Sequence, residues 1–484
     1  MNEKMKNTFR ILYTAAILGI LAVPAAALAV RESRGGDAAE EPGVITAENR
    51  VLAEKPSLRT EEGTLNKNYL PEFDAWFSDS FGLRTQLVTA YSKLTGSIFG
   101  VSSEKDVIIG KDGWLYYTPT IPDATGVRTL NDLEMKHIVH NLQMMQTYAE
   151  SHGSAFIFAS APNKASVYPA QLPGRYLHTG QQNNLDALYE ALSGTGITLC
   201  DWRTALREAA AAEDRPLYHK TDTHWNGDCA MLGYQTLMQT LGLDDFGFAD
   251  SARTETCDWD GDLWDMLSPG KKQPDMNAVY DVPQTYRTIG RMRTIDDLSI
   301  RTACENGSGS LLMFRDSFGR ALIPLLAERF ASCTFRRANA VPLDLLETAH
   351  YDYVVYELVE RNLGHLLIHA PQMPAPEAQL PDAEPAADQD ALCTGAQVNG
   401  MYLQVYGLFG TEYSDADAVY VTTNGRTYEA FLCCEQEALE LEAHQPNGFS
   451  CYLPAEYAGQ PIQVTVQSGG RAYRYDAVNI SAVK

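Results

Sequence analysis

The sequence has few basic residues: 38 lysines and arginines stand against 62 aspartates and glutamates, and the formal net charge is -24. No long basic run compensates locally for this excess of acid. A strongly anionic surface repels phosphate backbones and anionic lipid headgroups. The composition therefore argues against nucleic acid as a partner.

The sequence also lacks a C-x-x-C pair, although it contains nine cysteines. Their number is odd and their spacing is irregular, with Cys433 and Cys434 adjacent. Cysteines of an exported chain are often paired in disulfides, but this spacing does not show which cysteines would pair, and buried free thiols are an equal alternative. A structural zinc site is equally unsupported, because no two cysteines stand at ligand spacing beside a pair of histidines.

A long apolar run occurs once, near the N-terminus. Three basic residues precede a predominantly apolar stretch from Ile11 to Val30, which is about the length that crosses a bilayer as a helix. Residues 1–30 are therefore predicted to be a signal peptide or a membrane anchor. Pro24 and the alanines after it resemble a signal-peptidase site, whereas the length favours a retained anchor. The rest of the chain is expected outside the cytoplasm, anchored or secreted, and residues 31–66 are expected to form a spacer.

More than one domain is predicted, since 484 residues exceed what one hydrophobic core usually serves. Residues 67–368 contain short apolar strand candidates, at 155–159, 311–314 and 353–356, that alternate with helical periodicity. This pattern is typical of a parallel sheet covered by helices on both faces, so the fold class is α/β. Its first part, an aromatic lobe over 67–128, includes a Lys-Asp-Gly turn that suits a β-hairpin.

The C-terminal quarter has a different composition. Residues 369–391 are rich in proline, alanine and acid, a composition that cannot supply a core and favours an extended linker. Residues 392–484 then show repeated short β-prone runs punctuated by Asn-Gly and Gly-Gly turns, which predict a compact β-sandwich. No aromatic platform marks sugar contact there, so a spacer or protein-interaction role stays open for this domain.

A candidate nucleophile follows one of the apolar strands. The run 311–314 leads into Arg315, Asp316 and Ser317, and a helical pattern begins near Arg320. A serine there lies at the carboxyl end of a parallel strand and at the start of the next helix. Ligands bind at that position, and exposed amides there can stabilise an oxyanion.

A candidate base lies in the segment 221–226. A serine hydroxyl is a poor nucleophile at neutral pH and requires a base and an orienting acid, which His224 and Asp222 would supply. Taken singly, each motif is more simply read as a helix cap or a surface pair; together in one α/β domain they favour a catalytic site. His219, Asp222 and His224 could also bind a metal, but no further ligand stands at clear spacing, so neither metal nor cofactor is expected.

Several motifs in this order resemble the DHHW proteins and the related SGNH-hydrolase-like alginate O-acetyltransferases (AlgX/AlgJ-like). They are D-T-H-W-N at 222–226, D-S-F-G at 316–319 and G-K-D-G-W-L-Y at 110–116, supported by Pro-Asn-Lys at 162–164. The resemblance spans about residues 67–365. It implies an SGNH-hydrolase-like domain in which the Asp and His block precedes the serine.

Carried over residue by residue, the resemblance implies Asp222 as the orienting acid, His224 as the general base and Ser317 as the nucleophile. Similar proteins move acetyl groups onto exported polysaccharide, often beside a membrane-bound O-acyltransferase that would be the acetyl donor. An extracytoplasmic serine-dependent O-acetyltransferase of a cell-surface polysaccharide, working through an acyl-serine intermediate, is therefore predicted. A carbohydrate acetylesterase and a noncatalytic polysaccharide-binding or envelope-assembly protein are the alternatives, because nothing in the sequence identifies the acceptor.

The oxyanion side of the site has weaker signals. Arg315 stands where the family commonly has a small residue, so its side chain would either crowd the turn or place positive charge near an anionic intermediate. Besides the backbone amide of Ser317, the candidate donors are the side chains of Asn163, which is preferred, and Asn226. Trp225 is expected to pack the loop in place rather than to contact substrate.

Overall fold

The N-terminal helix is the one long apolar element of the described chain. A computed structural model describes residues 3–33, 53–59, 63–81, 102–212, 215–269, 271–338, 340–434 and 447–479, with residues 83, 87 and 91. Helix α1 (Glu3–Ser33) contains Leu12–Val30, which has the length and composition of a membrane span; a signal sequence has them too. Much of the predicted spacer, residues 34–52 and 60–62, lies outside the described residues.

The aromatic lobe contains a helix and a hairpin. Helix α2 (Tyr69–Ser80) is followed by strands β1 (Val107–Ile109) and β2 (Leu115–Tyr117), which pair antiparallel. In the turn between them Asp112 and Gly113 have positive φ angles of 52° and 81°, the left-handed conformation that Asp-Gly tolerates. The predicted hairpin is confirmed.

Alternating helices and strands make up the next part of the chain, as the sequence predicts. The helices are α3 (Ile121–Thr125), α4 (Asp132–Ser151), α5 (Lys164–Val167), α6 (Asn184–Leu192), α7 (Trp202–Ala212), α8 (Gly227–Leu241), α9 (Asp262–Leu267), α10 (Ile323–Arg329) and α11 (His365–Ile368). The strands are β3 (Ala155–Ala161), β4 (Leu199–Cys200), β5 (Arg253–Trp259), β6 (Asp275–Tyr280), β7 (Arg287–Thr288), β8 (Ser299–Ala303), β9 (Ser310–Phe314), β10 (Ser332–Arg336) and β11 (Tyr353–Val359).

The central sheet positions the candidate site. Its strand order is β4-β3-β11-β9-β10-β8-β7, and the pairs from β4 to β10 are parallel, whereas β8 and β7 are antiparallel. Alternate residues of β3 enter different apolar clusters: Ile157 and Ala159 face one, Phe156 and Phe158 the other. Both faces of the sheet are therefore covered, which confirms the α/β fold class. The hairpin of β5 and β6 lies outside this sheet.

The C-terminal strands form one hydrogen-bonded sheet. They are β12 (Glu384–Pro385), β13 (Cys393–Asn399), β14 (Tyr402–Leu408), β15 (Ala416–Thr423), β16 (Arg426–Cys433), β17 (Gly448–Pro454), β18 (Pro461–Ser468), β19 (Arg471–Arg474) and β20 (Val478–Asn479). Their order in the sheet is β12-β19-β18-β15-β16-β17-β14-β13, and β20 pairs with β18 beside this path. Strand β16 pairs with β15 through its first residues and with β17 through its last, so it joins the two halves of the predicted sandwich. Val405 of one half and Val464 of the other share one apolar core.

The proline-rich segment 369–391 lies along this sheet. Pro374 and Glu377 form bridges with Tyr452 and Tyr428, and Met373 is buried. The segment is extended, in keeping with its composition, but it is attached to the sheet instead of standing free. The predicted domain boundaries stay predictions.

All nine cysteines fall within the described residues, and each is a free thiol in the structure. Seven of them are buried, and Cys257 and Cys393 are exposed. Among the two alternatives that the spacing left open, this arrangement favours buried free thiols.

Candidate active site

Ser317 and His224, which lie far apart in sequence, meet at the carboxyl edge of the sheet. Ser317 follows β9 and begins a 3-10 turn at Phe318–Leu322. His224 Nε2 lies 2.9 Å from Ser317 Oγ, within the range in which an imidazole accepts a hydroxyl proton. The structure therefore brings the predicted nucleophile and base into hydrogen-bond contact.

Asp222 holds the other side of the imidazole. Its Oδ1 lies 2.7 Å from His224 Nδ1 and accepts the His224 backbone N–H at 2.8 Å. Its Oδ2 accepts from Trp259 Nε1 at 2.8 Å and from the Asp262 amide at 3.2 Å. Burial acts to raise the pKa of Asp222, but the bonds and charge of His224, with the Trp259 donor, outweigh it and hold this pKa well below its usual range. Asp222 is therefore an ionised, fully bonded carboxylate.

A second carboxylate, that of Asp262, stands beside this pair. Its Oδ2 lies 3.6 Å from His224 Nδ1, and its oxygens accept from the backbone and hydroxyl of Thr223 at 2.7 and 2.6 Å. Among the described residues, the ligand atoms of Asp222, His224 and Asp262 lie within 4.8 Å of one another. His219, considered above as a metal ligand, is not in this group; its Nδ1 lies 3.0 Å from the Met276 carbonyl.

Lys164, at the start of α5, is hydrogen-bonded to the loop that carries Asp222. Its Nζ donates to the carbonyls of His219 and Lys220, each at 3.0 Å, and of Asp222 at 2.5 Å. Lys164 is 4% exposed, and burial lowers its pKa to about 8. Its three donors match three carbonyls of a tight loop, so Lys164 fixes the path of the loop below the acid.

The buried carboxyl of Glu357, on the neighbouring strand β11, supports the turn at the nucleophile. The Asp316 amide donates to Glu357 Oε2 at 2.9 Å, and the Asp316 carboxylate accepts from the amides of Phe318 and Val359 at 2.8 and 2.7 Å. Burial, joined by the charge of Asp316, raises the pKa of Glu357 far above its usual range. These bonds fix Ser317 between two strand ends.

The Arg315 side chain is bonded to backbone carbonyls around the nucleophile turn. Its guanidinium donates to the carbonyls of Ile295 at 2.7 Å, Asp316 at 3.0 Å and Asp297 at 3.3 Å. It is buried and ties the loop at 295–297 to the strand end. The turn accommodates it because residue 319 is glycine: a Cβ there would lie 2.8 Å from the Arg315 Cβ.

The two candidate asparagines have different positions relative to Ser317. Asn163 is buried, its Nδ2 donates to Asp123 at 3.0 Å, and it lines neither cavity at Ser317. Asn226 caps α8, since its Oδ1 accepts from the Cys229 amide at 3.1 Å, while its Nδ2 donates to the Pro216 carbonyl at 2.6 Å. Each side-chain nitrogen has one acceptor elsewhere, but Asn226, unlike Asn163, lines one of the cavities at Ser317. The cap at Asn226 is local, whereas the Asp123 partner of Asn163 is remote in the chain.

Trp225 packs against the nucleophile turn and also lines one of the cavities at Ser317. Its Nε1 donates to the Phe318 carbonyl at 3.0 Å, and its ring lies 5.5 Å from the Phe318 ring. The side chain is 2% exposed. Trp225 therefore connects the base loop to the nucleophile turn.

Two cavities meet at Ser317 and His224. One, of about 460 Å³, has mostly apolar walls and is lined by Ala278, Val282, Ile295, Ala321 and Leu325. The other, of about 500 Å³, is polar and is lined by Tyr117, Asp262, Asp265, Arg337, Arg361 and Asn362. The hydroxyl of Ser317 is thus accessible from two sides that differ in polarity.

Comparison with known proteins finds a family model similar to the segment that contains the Asp and His block. Residues 107–288 match the SGNH hydrolase-like domain of the acetyltransferase AlgX. The resemblance predicted from the motifs is confirmed. The matched segment contains Asp222 and His224 and ends before Ser317, so the assignment of the serine depends on the geometry above.

The relatives are similar over parts of the chain. The probable alginate O-acetylase AlgJ of Pseudomonas aeruginosa is 27% identical over 182 residues, which are 37% of this chain and 43% of that protein. The chain therefore matches less than half the length of this curated relative. PatB1 of Bacillus cereus is 19% identical over 53% of this chain and 96% of its own, with a TM-score of 0.42. A DHHW family protein from Eubacterium siraeum is 14% identical over 47% and 85%, with a TM-score of 0.38.

Proposed function

We propose that this protein is a serine-dependent O-acyltransferase that moves acetyl groups onto hydroxyls of an exported or cell-surface polysaccharide. The observation that carries the proposal is the contact of His224 Nε2 with Ser317 Oγ at 2.9 Å, with Asp222 at 2.7 Å on the opposite nitrogen. The match to an acetyltransferase domain supports acyl transfer. The name of the AlgJ relative, an alginate O-acetylase, supports a polysaccharide acceptor.

The reaction proceeds in two steps. His224 accepts the Ser317 proton as Oγ attacks the carbonyl carbon of an acetyl ester; the ester bond to the donor breaks, and the donor oxygen leaves with that proton. In the second step an acceptor hydroxyl gives its proton to His224 and attacks the acetyl-serine, and Ser317 regains its hydrogen. Asp222 stays ionised and stabilises the imidazolium.

The oxyanion of each tetrahedral intermediate requires hydrogen-bond donors. The candidates are the Ser317 amide and the side chains of Asn226 and Asn362. Asn226 lines the apolar cavity and Asn362 lines the polar cavity with Ser317, and Asn362 Nδ2 lies 3.4 Å from Asp316. Asn362 follows the end of β11 at Val359, and its side chain had no separate sequence signal.

The proposed location is outside the cytoplasm, with α1 as an anchor or as a signal segment. A membrane-bound O-acyltransferase would then supply acetyl groups at the membrane surface. The polysaccharide would approach Ser317 through the polar cavity, where Arg361, Asp265 and Tyr117 offer partners to sugar hydroxyls.

The test is acetyl transfer from p-nitrophenyl acetate by the full-length protein in detergent, with and without polyhydroxylated oligosaccharides. We expect release of p-nitrophenol that requires Ser317 and a gain of acetyl mass on the oligosaccharide. Ser317→Ala is the inactive variant, and Ser193→Ala, an exposed serine, is the matched control. Serine-dependent turnover with acetyl passing only to water identifies an acetylesterase, whereas no serine-dependent turnover identifies a noncatalytic binding protein.

A further inference from the structure

The apolar cavity begins at the reacting hydroxyl. Ser317 and His224 line its mouth, and Ala278, Ile295 and Leu325 are among the residues that form its walls. These walls come from strand β6, the loop that Arg315 anchors, and helix α10. A group bound covalently to Ser317 Oγ would have direct access to this cavity.

Several polar groups in the same walls are bonded to protein, while Gln284 stands at an exposed position of the lining. The Asn277 carbonyl oxygen of the side chain accepts from the Gly227 amide at 3.1 Å, and Arg320 donates to Asp296 at 3.3 Å while its guanidinium lies 5.5 Å from the Trp259 ring. Burial lowers the pKa of His219, which keeps its ring neutral. What these walls offer to a ligand is therefore mainly hydrocarbon surface.

The cavity is larger than an acetyl group. At a liquid-water share of about 30 Å³, the three heavy atoms of an acetyl group need roughly 60–90 Å³, whereas the cavity measures about 460 Å³. Sugar hydroxyls find partners in the other cavity, where Arg361 and Asp265 lie. Each methylene of an acyl chain on Ser317 that is buried in the apolar cavity adds favourable binding free energy.

We propose that the apolar cavity is an acyl-chain site and that Ser317 carries acyl groups longer than acetyl, of about four to six carbons. The proposal rests on the proposed function, because it requires the acyl-serine. Its chemistry is the same: the donor is an oxygen ester of the longer acid, Ser317 Oγ forms the new ester bond, and the donor alcohol leaves with the proton from His224. The alkyl chain enters the apolar cavity and the acceptor occupies the polar one.

The test measures kcat/KM of the full-length protein for p-nitrophenyl acetate, butyrate and hexanoate in one detergent. The rate with Ser317→Ala is subtracted as the blank. We expect kcat/KM for hexanoate to exceed that for acetate by about tenfold or more, since one methylene in an apolar pocket changes selectivity by about 10–200-fold. A wild-type protein that turns over acetate in a Ser317-dependent way and prefers it over hexanoate would overturn the acyl-chain site and leave the proposed function intact. Absence of Ser317-dependent turnover of every ester would overturn the proposed function itself.

Two substitutions locate the effect in the cavity. Ala321→Leu fills it from the turn after Ser317, and Val279→Trp fills it from β6, at a position that is 47% exposed and therefore tolerant. We expect each to lower the hexanoate to acetate ratio by at least about fivefold. Ala211→Leu, at an exposed position of α7, is the matched control and leaves the ratio unchanged. A folded Val279→Trp and a folded Ala321→Leu that both keep the wild-type ratio would contradict the proposal.

Discussion

Trp259 Nε1 donates a hydrogen bond to Oδ2 of Asp222 at 2.8 Å, the carboxylate oxygen that His224 does not use. The two oxygens of the acid therefore have separate partners, so the carboxylate cannot rotate without losing one of them. The Trp259 ring is also stacked on His219, with centroids 4.4 Å apart and an interplanar angle of 5°. Trp259 thus orients the acid that orients the base.

Trp259→Phe is expected to lower kcat about tenfold, because it removes a hydrogen bond to a charged group, worth about 1.5–3 kcal/mol, and keeps the aromatic stacking. Steady-state kinetics at neutral pH measure kcat of the variant and of the wild type. Trp264→Phe is the control, since Trp264 Nε1 donates to the Lys271 carbonyl at the surface; equal kinetics of the two variants would contradict this role.

Lys164→Met should destabilise the protein by about 1–3 kcal/mol and lower kcat, since buried loop carbonyls lose their donors. The measurement pairs chemical unfolding with ester turnover. Lys111→Met is the matched control, because Lys111 also donates its Nζ to a carbonyl, that of Ala170, but at an exposed site. A Lys164→Met protein with wild-type kcat would show that the loop keeps its path without this side chain.

A buried acid pair beside β3 and β11 should make stability depend on pH. Burial raises the pKa of Glu360 from 4.5 to about 7, and burial with the charge of Glu360 raises that of Asp123. A carboxyl with a raised folded pKa contributes stability that is complete below its unfolded pKa of 4.5 and lost as pH rises through about 7. The slope approaches about 1.4 kcal/mol per pH unit for one such proton.

The measurement compares the pH dependence of the unfolding free energy of wild type with that of Glu360→Gln. The difference isolates Glu360 from buried histidines, which act in the opposite direction because burial lowers their pKa, that of His137 to about 4. Relative to wild type, Glu360→Gln should gain about 1 kcal/mol or more of unfolding free energy between pH 5 and pH 8. Glu305→Gln, at an exposed position, serves as control. Parallel pH curves for wild type and Glu360→Gln would show that Glu360 is ionised in the folded protein throughout.

Local patterns explain how much of this architecture was predictable. The apolar runs that become β3, β9 and β11 are short and nearly continuous, so strand type and sheet class follow from them. The antiparallel edge formed by β7 and β8 did not follow, because β7 has only two residues and little apolar character. The pairing of β14 with β17 and of β15 with β18 shows that contacts between strands remote in the chain are not encoded in a local run.

At the candidate site, too, local motifs were predictable and contacts between remote segments were not. Asp222 and His224 are two residues apart and Ser317 ends a strand, so their motifs can be recognised. The roles of Trp259 and Lys164 arise from side chains that converge from separate segments, which no spacing rule shows. Asn163 illustrates the converse: it stands at a strand end, where an oxyanion donor is expected, but the buried acid Asp123 accepts its amide.

The most direct test of the account is covalent labelling of Ser317. Full-length protein is treated with phenylmethylsulfonyl fluoride, digested, and the modified peptide is identified by mass, beside His224→Ala treated in the same way. The account predicts one adduct on Ser317 in the wild type, with a rate that falls about 100-fold or more in His224→Ala, since the base contributes roughly 10²–10⁴-fold. An unmodified Ser317, or equal labelling rates in both proteins, would contradict it.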